Sequence, residues 1–269
     1  LKIFDPHFQD NILKPTDYDN LKSEVKLILN NDDYSLQTGV KSFENLQKNN
    51  NDRYEYILPY YNFNTTLSDN FFNGNITFSS NGDNFLSNTN QVKSSVTNDL
   101  IYNSQDYLLF NGLKSGIGVN VKNLNSVGKN NSNYKSSPQI EIMSDISLKS
   151  TYPLLKTTKD NNNYLTPKIL FKINPSDMKN YSNSDRTINV DNIFNNNRLG
   201  INDTLETGKS LTVGIDYKKE NLNDFNKFFE IKLASVLRDK EENFIPEKIK
   251  LNKKNSNIFG SITNNFSDF

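Results

Sequence analysis

Residues 139 to 149 alternate strictly. Ile140, Ile142, Ile146 and Leu148 fall on one side with Ser144, while Gln139, Glu141, Asp145, Ser147 and Lys149 fall on the other with Met143. Period two is the signature of a β-strand with one apolar and one polar face. The same rhythm runs through Leu165, Pro167, Ile169, Phe171 and Ile173, and through Leu211, Val213, Ile215 and Tyr217. It recurs in Phe229, Ile231, Leu233 and Leu237 against Glu230, Lys232 and Arg238, and in Ile76 and Phe78 against Asn75 and Thr77. Extended along the chain, it predicts about twelve strands, at 1–9, 21–30, 33–43, 54–66, 70–80, 91–102, 106–122, 139–151, 164–173, 209–219, 228–238 and 256–266.

Most of these segments are near the ~9 to 11 residues that a tilted strand needs to cross a bilayer. The connections tend to alternate between short (31–32, 67–69, 103–105, 220–227) and long (10–20, 44–53, 81–90, 123–138, 174–208, 239–255). Short turns at one end and long loops at the other are the habit of outer-membrane barrels. The segment 152–163 falls in a short-turn slot without being short, which counts against the scheme. Pro59 and Pro167 sit inside predicted strands. Each removes a ladder hydrogen bond there and marks a bulge, a loosened pairing or a misplaced boundary.

Composition narrows the choice. Only 34% of the 269 residues are hydrophobic, yet 12% are aromatic, with 13 Tyr, 18 Phe and no Trp. A soluble core so poor in apolar residues is hard to close. Disordered chains are depleted in aromatic and β-branched residues and carry high net charge, whereas here 31 basic residues balance 31 acidic ones. A transmembrane β-barrel reconciles these facts, because only the lipid-facing side of each strand must be apolar. No run approaches the ~18 apolar residues of a transmembrane helix. The fold class expected is therefore all-β, an incomplete antiparallel transmembrane β-barrel. A soluble β-sandwich adhesion or surface module remains the alternative of a different class. Aromatic clusters near strand ends fit either reading, as interfacial girdles or as core: Tyr54, Tyr56, Tyr60 and Tyr61; Phe71 and Phe72; Tyr107 and Phe110; Phe225, Phe228 and Phe229.

Roughly one residue in six is Asn, an excess that reads as biased composition at solvent-tolerant positions. The chain begins at Leu1 and stops at Phe269 just after an alternating run, and the whole of 1–269 is read as one partial barrel domain.

Catalytic chemistry finds little support. There is no cysteine for a disulfide or a thiolate metal site. The one histidine, His7, has no companions at metal-ligand spacing. No Gly-x-Ser-x-Gly elbow is present. Gly112 to Gly118 lacks the Gly-Lys-Ser/Thr ending of a phosphate loop; Gly116 and Gly118 in a strand mark bending or close backbone approach. No catalytic residue, cofactor or metal is expected.

The long insert from Arg186 to Gly208 separates two of the clearest strands. Loops of that length inside a compact domain are usually functional or disordered. Arg186, Asp191, Arg198, Asp203 and Glu206 mix both signs. If the insert folded back into a barrel, bidentate Arg–carboxylate pairs could satisfy them.

The residues of this region carry a resemblance. Tyr164 to Met178, Asp185 to Thr204 (Asp-Arg-Thr-Ile-Asn-Val-Asp-Asn-Ile-Phe-Asn-Asn-Asn-Arg-Leu-Gly-Ile-Asn-Asp-Thr), Gly208 to Tyr217, Leu237 to Glu242, Ser256 to Ser261 and, upstream, Ile57-Leu-Pro-Tyr-Tyr61 resemble the lipopolysaccharide-assembly family of Gram-negative outer membranes, also called the organic-solvent-tolerance family. Residues 54–66 and 139–266 are well covered. The family continues with arginine after the corner at Asp203, whereas Thr204 stands here, which weakens an ion-pair role for this corner.

The resemblance implies a large barrel in the bacterial outer membrane that takes lipopolysaccharide from periplasmic bridge proteins and releases it to the outer leaflet through a lateral seam. A lipoprotein partner plugs the lumen, outer-membrane lipids surround the wall, and no nucleic acid is involved. By order of motifs this piece corresponds to the middle of that barrel, without the jellyroll domain and the closing strands. Arg186, Asp191, Asn192, Phe194, Arg198, Gly200, Asp203 and Gly208 then become candidate structural residues of a loop that caps the lumen, and Pro59 and Pro167 candidate strand-loosening positions. Another porin or receptor barrel is the alternative within membranes.

Overall fold

The computed structural model describes residues 20–48 and 50–265. Alternation becomes pairing throughout. The strands are β1 (Asn20–Asn30), β2 (Tyr34–Asn45), β3 (Tyr54–Phe71), β4 (Gly74–Ser87), β5 (Gln91–Ser104), β6 (Tyr107–Leu109), β7 (Leu113–Lys129), β8 (Gln139–Thr151), β9 (Leu154–Thr157), β10 (Asn161–Asn174), β11 (Gly208–Asn221), β12 (Phe228–Arg238) and β13 (Phe259–Asn265). All pairings are antiparallel, and the order β1-β2-β3-β4-β5-β7-β8-β10-β11-β12-β13 follows the chain. The short strands β6 and β9 pair with β7 and β10 respectively. Among the described residues β1 and β13 are the two edges of this one sheet. It is the wall of an incomplete barrel.

The predicted strand at 1–9 and His7 lie outside the described residues. Several predicted connections are corrected. The segment 81–90 was expected as a long loop, but β4 and β5 extend through it and pair as far as Ser87↔Gln91, leaving only 88–90 as the turn. β3 runs on to Phe71, so its turn is 72–73 rather than 67–69. The expected turn at 103–105 is a break before β6, and the hairpin closes at 110–112. β7 likewise continues to Lys129, shortening the loop expected from 123.

The misfit at 152–163 also resolves. β8 breaks at Tyr152–Pro153 and resumes as β9 against the same partner, β10, so the turn between them is only 158–160. At one end of the sheet the connections are thus short, and at the other lie 46–53, 130–138, 175–207 and 239–258 together with the short turn 88–90.

The two faces differ. On β8, Ile140, Ile142, Ile146 and Leu148 are exposed, whereas Met143, Asp145 and Ser147 are buried. From Ile140 to Leu148 the strand runs roughly 26 Å at ~3.3 Å per residue. The outward side continues through Ile169 and Phe171 on β10, Val213 and Ile215 on β11 and Leu233 and Leu237 on β12, all exposed. The core is not formed between two sheets. It lies where two long loops pack on the other face of the wall: Met178, Ile188, Ile193, Leu199 and Ile201 from 175–207 meet Ile245, Ile249 and Leu251 from 239–258 above Ala234 and Val236 of β12. A second cluster joins Leu124, Tyr134, Met143 and Leu205.

Candidate functional site

The face that carries the loops is lined with charge. In-register pairing of β5 and β7 places Lys122 beside Asp99, and Lys172 of β10, opposite Ser147 of β8, lies diagonally 3.7 Å from Asp145. Lys122 Nζ donates to Asp99 at 2.6 Å and also to the Asn202 carbonyl at 2.8 Å. Lys172 Nζ donates to the Asn196 carbonyl at 2.6 Å. These two strand lysines hold the 175–207 loop by its backbone, which would otherwise bury unpaired carbonyls. Gly118 makes room for the contact, since a Cβ there would come within 3.0 Å of Asn196 Nδ2 and 2.5 Å of Ser147 Oγ.

The centre of the site is Glu206. Arg198 Nε donates to Glu206 Oε2 at 2.7 Å and Nη2 donates to Oε1, a bidentate pair. Arg198 also donates to Thr212 Oγ1 at 2.7 Å and Ser210 Oγ at 3.0 Å on β11. Arg238 Nη1, at the end of β12, donates to the same Glu206 Oε1, and its Nη2 donates to the Thr207 carbonyl. The side chains of Arg198, Glu206 and Arg238 retain only 1%, 3% and 1% of their exposure. Burial pushes the Glu206 carboxyl up, but Arg198 and then Arg238 outweigh it and hold the group well below the usual carboxylate range.

A second knot surrounds Asp203. Tyr134, from 130–138, donates its hydroxyl to Oδ2, and Tyr181 donates to Oδ1 at 2.6 Å. Burial, together with Asp203, raises the pKa of both tyrosine hydroxyls, so they stay protonated donors. Two neutral donors therefore serve Asp203 at the corner. Thr204, next to it, is buried and accepts the Lys179 amide at 3.2 Å.

The other residues singled out from sequence are spread around the loop. Phe194 packs on the wall, its ring where a Cβ on Gly214 would fall, 2.7 Å from Cζ. Asn192 closes a local turn, donating to the Thr187 carbonyl at 3.0 Å and accepting the Asn189 amide at 2.9 Å. Arg186 lies at the loop surface, near the Gly200 carbonyl and over the Tyr181 ring. Asp191 is 72% exposed on its side chain and faces Lys232 at 3.3 Å. Gly200 and Gly208 both adopt positive φ, at +60° and +86°, where a side chain is strained. Pro59 is at a register shift: pairing passes from Ile57 to Tyr60 on β3 while the neighbour β2 skips Val40. Pro167 pairs with Ile215 on one side, and on the other its carbonyl accepts the Tyr152 amide at the break between β8 and β9.

The arrangement brings together Arg198, Asp203, Gly208 and Phe194 against the wall but leaves Asp191 exposed at its rim. Sequence reading did not single out Arg238, Tyr134, Tyr181, Lys122 or Lys172 as parts of the site. The lysines and Arg238 carried a signal, because they occupy the polar side of alternating strands; the tyrosines, in aperiodic loops, carried none.

A closed charged face under an infolded loop, with an apolar face opposite, suits a transport wall. The family model described as LPS transport system D matches residues 8–269. The chain belongs to this family. No curated protein matches it. LPS transport system D is a transport and assembly family rather than an enzyme family, and the all-β antiparallel wall fits that membership. Within this LPS transport system D chain, residues 54–66 and 139–266, which carried the resemblance, include most of β3, all of β8 to β13 and both loops of the core.

Proposed function

We propose that this chain forms part of an outer-membrane barrel wall that delivers lipopolysaccharide to the outer leaflet, with the 175–207 loop lying on the lumen side. The observation that carries the reading is the segregation of faces: exposed Ile, Leu and Val on one side of β5 to β12, and on the other Asp99, Lys122, Asp145, Lys172 and Arg238 covered by loops. In lipid, backbone groups must pair within the protein and outward side chains must be apolar. The short-turn end, ringed by Phe71, Phe72, Tyr107, Phe110 and Phe225, is read as the periplasmic interface and the long-loop end as the exterior. Transport needs no covalent step here: an amphipathic lipid takes its polar part past charged side chains while its acyl part stays with the apolar wall. The register shift at Pro59 and the interrupted pairing opposite Pro167 are places where such a wall can yield. The partners are those of the family, a lipoprotein filling the lumen and periplasmic bridge proteins feeding the barrel.

Depleting the protein and following lipopolysaccharide at the cell surface tests the transport role. Surface lipopolysaccharide should fall while its synthesis continues. Heat-modifiable gel mobility after detergent extraction tests the barrel, and a full-length chain soluble without detergent sinks the reading.

A further inference from the structure

On the outward side of β3, β4, β5 and β7 the apolar surface is interrupted by a band of polar side chains that spans two in-register rows. The Tyr61 hydroxyl lies 3.0 Å from Ser80 Oγ, and Ser80 Oγ donates to Asn98 Oδ1 at 2.8 Å. Asn98 Nδ2 donates to Asn123 Oδ1 at 3.2 Å, and Asn125 Nδ2 donates to that oxygen at 2.6 Å. Phe63 stands opposite Ser80, and toward the short turns Phe78, Leu100 and Val121 continue the outward face beside Thr65. Toward the long loops lies a depression of about 430 Å³. Its floor is the in-register row Tyr61, Gly82, Val96, Asn125 and Ile140 across five strands. Gly82 creates it: the Tyr61 ring leans over the missing side chain, so close that a Cβ there would stand 2.2 Å from Cε1.

The chemistry of the depression is uncharged on its outward side chains. Amides from Asn84 and Asn125 and the Ser94 hydroxyl both donate and accept, and Tyr61, Val96 and Ile140 supply apolar surface. Such a set leaves a phosphate or carboxylate uncompensated, but it matches neutral hydroxyls and the apolar faces of a sugar ring. The neighbouring apolar band suits acyl chains. No equivalent polar row crosses the outward face of β10 and β11, where Ile169, Phe171, Val213 and Ile215 follow one another.

We infer that this depression holds the saccharide headgroup of a glycolipid lying against the outside of the wall, its acyl chains alongside Phe63, Phe78, Leu100 and Val121. The inference rests on the outward face being in lipid, as proposed above. It concerns a lipid parked on the outer surface, apart from the charged, loop-covered face.

Photocrosslinking from p-benzoylphenylalanine in place of Val96, in the whole protein in its outer membrane, tests it, with the same group in place of Ile215 as the outward reference. Adducts are separated into phospholipid and saccharide-bearing lipopolysaccharide. Loss of the Asn84 and Asn125 hydrogen bonds in Asn84→Leu/Asn125→Leu should lower the saccharide-bearing adduct at Val96 by about 5-fold or more, on the order of 1 kcal/mol of hydrogen bonding. Lipid adducts at Ile215 should not change. Equal saccharide-bearing adducts at both positions, phospholipid alone at Val96, or indifference to the double substitution overturns the inference. Absence of any lipid adduct at Ile215 overturns the membrane reading itself and the inference with it.

Discussion

Arg198 and Glu206, eight residues apart in one loop, meet in a bidentate pair that is closed off from solvent. The pair joins two strands as well as two residues, because Arg198 also reaches Ser210 and Thr212 on β11 while Glu206 takes Arg238 from β12. Removing one partner of a buried ion pair leaves uncompensated charge and costs about 3–5 kcal/mol. Glu206→Gln should therefore lower the temperature at which the extracted protein loses its compact gel form, and make 175–207 sensitive to trypsin at Arg186 and Arg198. Unchanged heat modification and unchanged cleavage would show that the loop is held by its apolar contacts alone.

This cluster and the knot around Asp203 together give a pH dependence of definite sign. The Glu206 carboxyl is depressed in the folded protein, so its contribution is present above the unfolded value of ~4.3 and is lost as pH falls below that toward the folded one. Tyr134 and Tyr181 are raised, so theirs is full below the unfolded value of ~10 and is lost as pH rises through the folded ones. Protection of the 175–207 loop should be flat from about pH 5 to 9 and fall on both sides. Tyr134→Phe with Tyr181→Phe should remove the alkaline fall only, and Glu206→Gln the acid fall only. Proteolysis across pH reads both limbs, and one identical limb in all variants would sink the assignment.

What the sequence made legible follows from periodicity. In 139–151 each inward position is polar or sulfur-bearing and each outward one is aliphatic or Ser, so strand, faces and neighbours all follow from one pattern. The segment 81–90 misled because Asn81, Asp83, Asn84, Asn88 and Asn90 are turn-formers by type. Two of them are held inside a strand by tertiary partners instead, Ser95 donating to Asp83 at 2.6 Å and Thr97 to the Asn81 carbonyl at 3.4 Å. The break at Tyr152–Pro153 looked like a loop because proline ends an alternation, yet β9 resumes the same pairing two residues later. Of the site, Arg198 and Glu206 were readable as opposite charges in one insert. Their link to Arg238, and that of Asp203 to Tyr134 and Tyr181, was not, since contacts between an aperiodic loop and a distant element leave no period in the sequence.

Gly118 offers a way to move the loop without cutting it. Gly118→Val places carbon where Ser147 Oγ and Asn196 Nδ2 now lie, and Asn196 also supplies the carbonyl held by Lys172. Overpacking of this kind costs about 1–3 kcal/mol. The strand pairing should survive, because the outward face of β7 is untouched. With the loop displaced, cells should become permeable to large antibiotics that the outer membrane excludes, while surface lipopolysaccharide stays near normal. Unaltered permeability together with increased trypsin cleavage of the loop would separate loop position from sealing.

The two faces of β8 predict opposite responses to one substitution. Ile146 is 57% exposed on the outward side, in the middle of the apolar run. The side-chain amide of Gln139, an inward position at the long-loop end, donates to Ser137 and Pro138. A lysine facing lipid costs about 2–4 kcal/mol near the midplane of a barrel and much less at the interfaces. Ile146→Lys should reduce the amount of protein assembled in the membrane severalfold and raise the share degraded, whereas Gln139→Lys should assemble like the parent. Quantifying the heat-modifiable form in membranes decides the matter. Equal assembly of the two variants would mean that the exposed isoleucines of β8 face water or another protein surface, and the wall would then have to be turned the other way or removed from the bilayer.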